Sequence, residues 1–174
     1  IEFVTKCIEE VGLKVSSQIS IALDIASTQL FDGSKYQLKN EGKSFTSEEF
    51  VKFIEKLVKS APIISIEDPF AEDDWAAWSS FMSIAPKSLQ VVGDDLFTTN
   101  ATRLAHGVAE KSANAILIKA NQNGLVTFTE SVLKMAQSES FNTIVSARSG
   151  ETEDSWLADL ATGWRAGQIK VGST

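Results

Sequence analysis

Six short apolar segments recur along this chain, and each of them ends at or just before a charged residue. The clearest runs from Pro62 to Ile66 and leads directly into Glu67. Branched apolar residues in such runs are typical of buried β-strands. Pro69 cannot donate to a ladder and disfavours helix at the residue before it, so this strand is predicted to end there. The six predicted strands cover residues 18–24, 62–67, 89–94, 114–119, 142–146 and 167–171.

Helical patterns fill the intervals between these strands. Thr46 followed by two glutamates is typical of a capped helix start, and apolar residues then recur on one helical face. The acids Asp73 and Asp74 predict another helix start. An Asp-Gly pair within residues 31–38 predicts a small hairpin. Further helices are predicted over residues 1–12, from about 100, over about 125–139 and over about 151–164.

This alternation of strands and helices determines the predicted fold. Short links between them predict a parallel sheet with right-handed crossovers, so that all the charged strand ends lie at one edge. Their spacing, mostly about 25 residues, is close to the repeat of an eight-stranded (β/α) barrel. An open doubly wound sheet is the alternative, but no glycine-rich phosphate turn follows the first strand. We therefore expect an α/β chain with the TIM-type (β/α) barrel fold, incomplete at about six strands, as a single domain over residues 1–174.

The start of the chain indicates a piece of a longer protein. Six strands cannot close an eight-stranded barrel, so the missing strands are expected N-terminal to Ile1. The helical stripe of residues 1–12 also begins without a start signal. Cys7 within this stripe is expected to be a packed, reduced thiol, and a lone cysteine excludes an internal disulfide.

Composition excludes several classes of protein. Hydrophobic residues make up 43% and charged residues 22% of the 174 residues, which is typical of a soluble globular domain. The net charge of -7 argues against general nucleic-acid binding. No apolar run approaches the roughly 20 residues of a membrane span, and no secretory signal is visible. We expect a cytoplasmic protein.

Three of the charged strand ends carry carboxylates, namely Asp24, Glu67 and Asp94. Carboxylates gathered at one sheet edge repel each other, and burial increases that cost. A divalent cation relieves both costs, and all-oxygen ligands select a hard ion such as Mg²⁺. The sequence therefore predicts a Mg²⁺ site at these three residues.

Lysines end two further strands. Lys119 follows the apolar segment 115–118, and Lys170 ends the last strand. One interpretation of Lys119 is a surface lysine whose apolar stem is buried. The other is a general base, because a metal and a second lysine nearby would favour its neutral amine. Arg148, before a predicted helix N-terminus, suits a phosphate or a carboxylate. Together these residues predict removal of a proton next to a carboxylate, with the metal charge stabilising the intermediate.

Six motifs, in order along the chain, resemble those of the enolase family of phosphopyruvate hydratases. Two strings, SIEDPF at Ser65–Phe70 and RSGETED at Arg148–Asp154, are highly specific for that family. The likeness runs through essentially the whole chain, and its other motifs are Ile21–Asp24, Val92–Leu96, Ile118–Gln122 and Gly167–Lys170. The resemblance implies a glycolytic lyase that reversibly dehydrates 2-phosphoglycerate to phosphoenolpyruvate with Mg²⁺.

The resemblance also implies roles for the charged strand ends. Asp24, Glu67 and Asp94 would hold Mg²⁺. Lys119 would take the C2 proton of the substrate. Lys170 would bind the substrate carboxylate and share in stabilising the intermediate, and Glu67, Asp94 and Lys119 would also contact the substrate.

A phosphate site is implied by the RSGETED string. Arg148 and Ser149 would hold the phosphate, with help from the backbone around Ser146. A second Mg²⁺ would bridge the substrate and a mobile loop. Enolases commonly have histidine where this chain has Ala147, which can neither hydrogen-bond nor titrate through its side chain. That substitution puts the substrate contact of this position in doubt.

The family pattern extends beyond this chain at both ends. The N-terminal lid domain of enolases, with its acid glutamates and the serine of the second metal site, would lie upstream of Ile1. The family's C-terminal tail would lie past Thr174. Because the general acid that expels hydroxide belongs to the lid domain, we expect the chain alone to lack hydratase activity.

Two alternatives to the hydratase remain. One is another enolase-superfamily enzyme, such as a racemase or a sugar-acid dehydratase, which the SIEDPF string and Arg148–Ser149 do not favour. The other is a non-catalytic, enolase-derived fragment used for binding or scaffolding. The resemblance implies a homo-oligomeric parent, a dimer or an octamer, in the cytoplasm, with a secondary cell-surface or secreted pool in some members.

Overall fold

Apart from a small hairpin after the first strand and a short extra helix at Ala120–Asn123, strands and helices alternate along the chain in the predicted order. A computed structural model describes residues 1–172, which form two compact units, residues 1–90 and the residues from Val91 onward. The strands are β1 (Ile21–Asp24), β2 (Tyr36–Leu38), β3 (Lys43–Phe45), β4 (Ile63–Glu67), β5 (Gln90–Gly93), β6 (Ala115–Ile118), β7 (Asn142–Ser146) and β8 (Gly167–Lys170). The α-helices are α1 (Glu2–Glu10), α2 (Ser47–Ser60), α3 (Trp75–Ile84), α4 (Ala101–Glu110), α5 (Ala120–Asn123), α6 (Val126–Ser138) and α7 (Trp156–Gly163).

The first unit combines a parallel strand pair with a small hairpin. β1 and β4 pair in parallel, and β2 pairs with β3 in antiparallel orientation. α2 begins at the predicted cap: the Glu49 N–H donates to Thr46 Oγ1 at 3.3 Å, and the Thr46 N–H donates to the Glu49 carboxylate at 2.8 Å. These two bonds satisfy donors that a helix start otherwise leaves unpaired, so the sequence fixes where α2 begins.

An aromatic cluster forms the core of the first unit. Tyr36 stacks on Phe50 with ring centroids 4.1 Å apart, and Phe70 meets Trp78 edge-on at 6.0 Å. These rings and that of Phe81 are almost completely buried. Such aromatic pairs contribute about 0.5–1.5 kcal/mol each beyond burial. The cluster therefore holds the segment after β4, where Phe70 lies, against α2 and α3.

The second unit contains four parallel strands. β6 pairs with β5 and β7, and β7 pairs with β8. All four residues of β6 are buried, as expected for a continuous apolar run with both faces covered. One core cluster joins Val92, Ala115, Leu117 and Ile144. α6 contacts β6 and β7, and α7 contacts β7 and β8, so helices cover the strands that carry the candidate site residues at their ends.

The predicted fold class is confirmed. Each predicted strand has a counterpart within a few residues, the six counterparts pair in parallel within their units, and helices alternate with them. Among residues 1–172, no helix combines the length and the apolar character needed to cross a bilayer.

The predicted hairpin over residues 31–38 is only partly correct. Phe31 and Tyr36 form an isolated antiparallel bridge around the Asp-Gly turn. The longer hairpin instead joins β2 to β3 through a 3₁₀ turn at Lys39–Glu41 that ends at Gly42. Gly42 adopts a left-handed conformation with φ of 62°, which glycine reaches without steric cost, so the chain reverses there.

The prediction that Cys7 is packed is wrong, because this residue is exposed. α1 forms as predicted, yet it buries none of its residues, and Phe3 is 78% exposed. An apolar repeat of 3.6 residues predicts a helix. Burial of its apolar face also needs a second surface packed against the helix, and the repeat does not show whether such a surface exists.

Candidate active site

Two of the predicted metal ligands lie side by side in the first unit. Asp24 ends β1 and Glu67 ends β4, and the two residues are register partners across the parallel pair. Glu67 is only 7% exposed, whereas Asp24 is exposed. Neighbouring carboxylates at the ends of paired strands offer oxygen donors to a cation and repel each other without one. The predicted proximity of these two residues is therefore present in the fold.

A buried serine fixes the turn that carries Glu67. The Ser27 N–H donates to the carbonyl of Asp68 at 3.1 Å, and Ser27 Oγ donates to the carbonyl of Pro69 at 2.9 Å. The Ile25 N–H donates to the carbonyl of Glu67 at 3.0 Å, which extends the β1–β4 ladder beyond the strands. Asp68 is left-handed with φ of 42°, a conformation that aspartate tolerates better than most residues. Sequence reasoning missed Ser27, and its position just after a charged strand end was the available signal.

Asp94 and Lys119 form an ion pair in the second unit. Lys119 Nζ donates to Asp94 Oδ2, and the side chains are 14% and 10% exposed respectively. The other carboxylate oxygen, Asp94 Oδ1, accepts from Gln122 Nε2 at 3.2 Å. The structure thus brings one candidate metal ligand directly to the candidate base. A charge-assisted hydrogen bond with little solvent around it holds both groups in place.

Gly93 brings the backbone close to an aromatic ring just before Asp94. A Cβ at this position would lie 2.6 Å from Cδ2 of Phe97, closer than a real side chain can approach. Phe97 is fully buried and meets Phe141 edge-on at 6.0 Å. The absence of a side chain at Gly93 therefore lets this ring pack directly below the Asp94 segment.

Ser146 and Lys170 are neighbours at the end of the β7–β8 pair. They are register partners, and the Ala147 N–H donates to the carbonyl of Lys170 at 3.0 Å. Ser146 is buried and its hydroxyl donates to the carbonyl of Ala147 at 2.8 Å. Ile118, the last residue of β6, is the register partner of Val145, which directly precedes Ser146. The strands β6, β7 and β8 therefore end at the same level.

Arg148 and Ser149 occupy an exposed turn after β7. The Glu151 N–H donates to the carbonyl of Arg148 at 3.0 Å, and Gly150 is left-handed with φ of 78°. The prediction of a helix from about 151 is wrong in its start, because α7 begins only at Trp156. The left-handed glycine interrupts helical geometry, so Arg148 does not adjoin a helix N-terminus.

Sequence reasoning also missed a set of polar residues beside the Asp94–Lys119 pair. Thr99 is fully buried, and its hydroxyl contacts Gln122 and the backbone of Lys119. Gln122 belonged to a motif of the resemblance but received no role from it. No sequence pattern marks such contacts, because they link residues 20 or more positions apart along the chain.

The donors in the first unit fit a hard divalent cation. Asp24 and Glu67 present carboxylate oxygens alone, and Asp94 in the second unit is of the same chemical type. Carboxylate oxygens suit Mg²⁺ or a similar ion, whereas softer metals favour sulfur or imidazole ligands.

The fold and the site together define a class of protein. Parallel strands alternating with helices, with carboxylates and lysines at the strands' carboxyl ends, are characteristic of (β/α)-barrel enzymes. The six parallel strands described over residues 1–172 are an incomplete set for a barrel that needs eight.

Comparison with known proteins identifies the family within that class. Residues 1–174 match the family described as "Enolase, C-terminal TIM barrel domain", and the chain belongs to this family. It is 45% identical over 173 residues to the enolase of Natranaerobius thermophilus, covering 99% of this chain and 40% of that protein. It is 46% identical over 173 residues to enolase 1 of Methanospirillum hungatei, covering 99% of this chain and 41% of that protein. The chain thus spans about two-fifths of the length of these relatives.

Proposed function

We propose that this chain is most of the catalytic barrel of an enolase, a lyase that reversibly dehydrates 2-phosphoglycerate to phosphoenolpyruvate in glycolysis. The observation that carries the proposal is the family match over the whole chain, with two relatives named enolase at 45% and 46% identity. The largely buried pair of Asp94 and Lys119 supports it chemically, since it joins a candidate metal ligand to a candidate base.

Asp24, Glu67 and Asp94 would hold Mg²⁺. The register pairing of the first two and the burial of Glu67 and Asp94 support these roles. When bound, Mg²⁺ would supply positive charge beside the substrate carboxylate, which lowers the free energy of removing the neighbouring proton.

Lys119 would remove the C2 proton of 2-phosphoglycerate onto Nζ, and Lys170 would pair with the substrate carboxylate. The electrons of the broken C2–H bond form the C2–C3 double bond as the C3 hydroxyl leaves. That hydroxyl must gain a proton to leave as water. We assign the acid to the lid domain of the longer protein, and we therefore propose that this chain alone has no hydratase activity.

Arg148 and Ser149 would bind the substrate phosphate, with the backbone around Ser146. Their exposure in a turn after β7 supports this role, because a phosphate must reach them from solvent. A guanidinium can hold a phosphate with two parallel hydrogen bonds. Ala147 adds no charge to this site, so Arg148 would supply its positive charge.

We further propose that the parent protein is a cytoplasmic homo-oligomer, a dimer or an octamer. Its partners would be the two small phosphorylated acids rather than nucleic acid, in keeping with the net charge of -7. A membrane is not required for any of the proposed steps.

The test is turnover by a full-length enolase that carries this chain. With 2-phosphoglycerate and Mg²⁺, absorbance of the enol product should rise, and the Lys119→Ala variant should lose about 10²–10⁴-fold in kcat while still binding Mg²⁺ by calorimetry. Lys134→Ala is the matched control, because Lys134 is exposed on α6 and pairs only with Glu130 among the ion pairs described. No turnover by the full-length protein would refute the proposal.

A further inference from the structure

Two consecutive threonines in the second unit adopt a conformation that threonine rarely takes. Thr98 and Thr99 follow the Asp94 turn with φ of 47° and 51°. Left-handed backbone is unfavourable for β-branched residues, and it persists only where surrounding contacts enforce it. The contacts that hold Thr99 therefore indicate what this strained turn positions.

Thr99 is tied to Lys119 and the short helix α5, directly after β6, by three hydrogen bonds. The Lys119 N–H donates to Thr99 Oγ1 at 2.9 Å, and Thr99 Oγ1 donates to Gln122 Oε1 at 2.8 Å. Asn123 Nδ2 donates to the Thr99 carbonyl at 3.0 Å. The side chain of Thr99 is fully buried, so water cannot replace these partners without opening this contact.

These bonds determine which end of the Gln122 amide faces Asp94. Because Thr99 Oγ1 accepts from the Lys119 backbone, its own hydrogen is available for Gln122 Oε1. The oxygen of Gln122 is then directed at Thr99, and its Nε2 donates to Asp94 Oδ1 at 3.2 Å. Lys119 Nζ occupies Oδ2 of the same carboxylate. A closed ring of hydrogen bonds thus runs through Asp94, Gln122, Thr99 and Lys119.

We propose that Thr99 is a positioning residue, which acts through Gln122 to orient the Asp94 carboxylate and through the Lys119 backbone to orient the base. The proposal rests on the proposed function of Asp94 and Lys119. Thr99 touches no reacting atom in this account. Its hydroxyl fixes the Asp94 carboxylate and the Lys119 base, which must be correctly oriented relative to the substrate. Small displacements of such groups lower the reaction rate.

The experiment compares Thr99→Val and Thr98→Val in a full-length enolase carrying this chain. Both variants keep a β-branched residue in a left-handed conformation, but only the first removes the hydroxyl from the ring. Thr99→Val should lower kcat about 10–100-fold with little change in KM for 2-phosphoglycerate. It should also raise the kinetic isotope effect with C2-deuterated substrate, because proton removal becomes slower. Thr98→Val should behave like the wild type.

Rescue and coupling distinguish positioning from loss of fold. Thr99→Ser keeps the hydroxyl and should restore kcat to within about threefold of wild type. The double variant Thr99→Val with Gln122→Leu should lose little more than the larger single loss, because both residues act in one ring. Equal losses in Thr99→Val and Thr98→Val, or a wild-type isotope effect in Thr99→Val, would overturn the proposal.

A measurement without turnover separates this proposal from the proposed function. Amide hydrogen exchange at Lys119 should accelerate in Thr99→Val and not in Thr98→Val, since only the former loses the acceptor of that N–H. If the wild type fails to convert 2-phosphoglycerate, the proposed function is refuted. The amide exchange rate at Lys119 would still show whether the ring of hydrogen bonds exists. Unchanged exchange at Lys119 in Thr99→Val refutes the ring itself.

Discussion

The phenol of Tyr36 donates a hydrogen bond to Oδ2 of Asp74 at 2.8 Å. The same phenol oxygen accepts from the buried Ala71 N–H at 3.0 Å, and Asp74 caps α3 by accepting from the Ala77 N–H. Ser47, at the start of α2, donates to the same Asp74 oxygen at 2.6 Å. One carboxylate therefore links the β2 strand to the starts of two helices.

Replacing Tyr36 by phenylalanine should destabilise the protein by about 1–3 kcal/mol. The ring would still stack on Phe50, but the Ala71 N–H would remain buried without an acceptor. Chemical denaturation of wild type and variant measures this loss. Ser47→Ala is the control: it removes the other donor to Asp74 Oδ2 from a partly exposed site and should cost less. Equal stability of Tyr36→Phe and wild type would contradict the role of this bond.

The stability contributed by Tyr36 should fall at alkaline pH. Burial raises the pKa of Tyr36 above its ordinary value of 10.0, with Asp74 adding to that shift. Because the folded protein holds the proton more tightly than the unfolded chain, the contribution is complete below pH 10.0 and decreases as the pH rises above it. The stability difference between wild type and Tyr36→Phe should therefore shrink above that pH.

A direct optical titration checks the same shift. Tyr36 is the chain's only tyrosine, so tyrosinate absorbance reports on it alone when measured on this chain. The folded chain should show no tyrosinate at pH 10, whereas the chain in denaturant should be about half ionised there. Ionisation of the folded chain at the same pH as the denatured one would contradict burial of the phenol.

Gly93→Ala should destabilise the second unit by about 1–3 kcal/mol, the usual range for overpacking. The new methyl group would meet the buried Phe97 ring at 2.6 Å, so ring and backbone must shift. Gly163→Ala is the matched control, because nothing lies within 4 Å of a Cβ there and the residue ends α7. It should leave stability unchanged or slightly raised. Thermal unfolding of both variants measures the difference in stability. Similar unfolding temperatures for the two would contradict the packing argument.

The start of α2 should weaken in acid. The Thr46 N–H that donates to Glu49 lowers the pKa of this carboxyl below its ordinary 4.5, with the Thr46 hydroxyl contributing further. The folded state therefore favours the charged form, and this support is present above pH 4.5 and is lost as the pH falls through the lowered pKa. Carboxyl NMR titration should give a Glu49 pKa below 4.5 that rises only part of the way towards 4.5 in Thr46→Ala, because this variant removes the hydroxyl and keeps the backbone N–H. An unchanged pKa in that variant would rule out the Thr46 hydroxyl as a contributor to the shift.

The six parallel strands were predictable from sequence because each is a compact apolar run with a charged residue at or soon after its end. Helix starts with strong capping chemistry, such as Thr46, were equally predictable. The late start of α7 was not, since the acidic run at residues 151–154 resembles a first helical turn while Gly150 turns the chain differently. Cys7 shows a further limit, because periodicity identifies an apolar face without identifying what covers it.

For the candidate site, the charged residues at the strand ends could be predicted from the sequence, but the polar groups that hold them in place could not. Register pairing places Asp24 beside Glu67 and Ser146 beside Lys170, as parallel strands with aligned ends should. Thr99 carries no such signal: its hydroxyl matters only because the turn after β5 meets the start of α5 there.

The distribution of tryptophan between the two units gives each of them an internal fluorophore. Trp78 is buried in the aromatic cluster and Trp75 begins the same helix, whereas Trp156 and Trp164 lie at the two ends of α7. Replacing the latter pair by phenylalanine would confine indole emission to the first unit. A red shift in that spectrum during denaturation would then report water reaching α3, and the reciprocal variant would report the opening of α7.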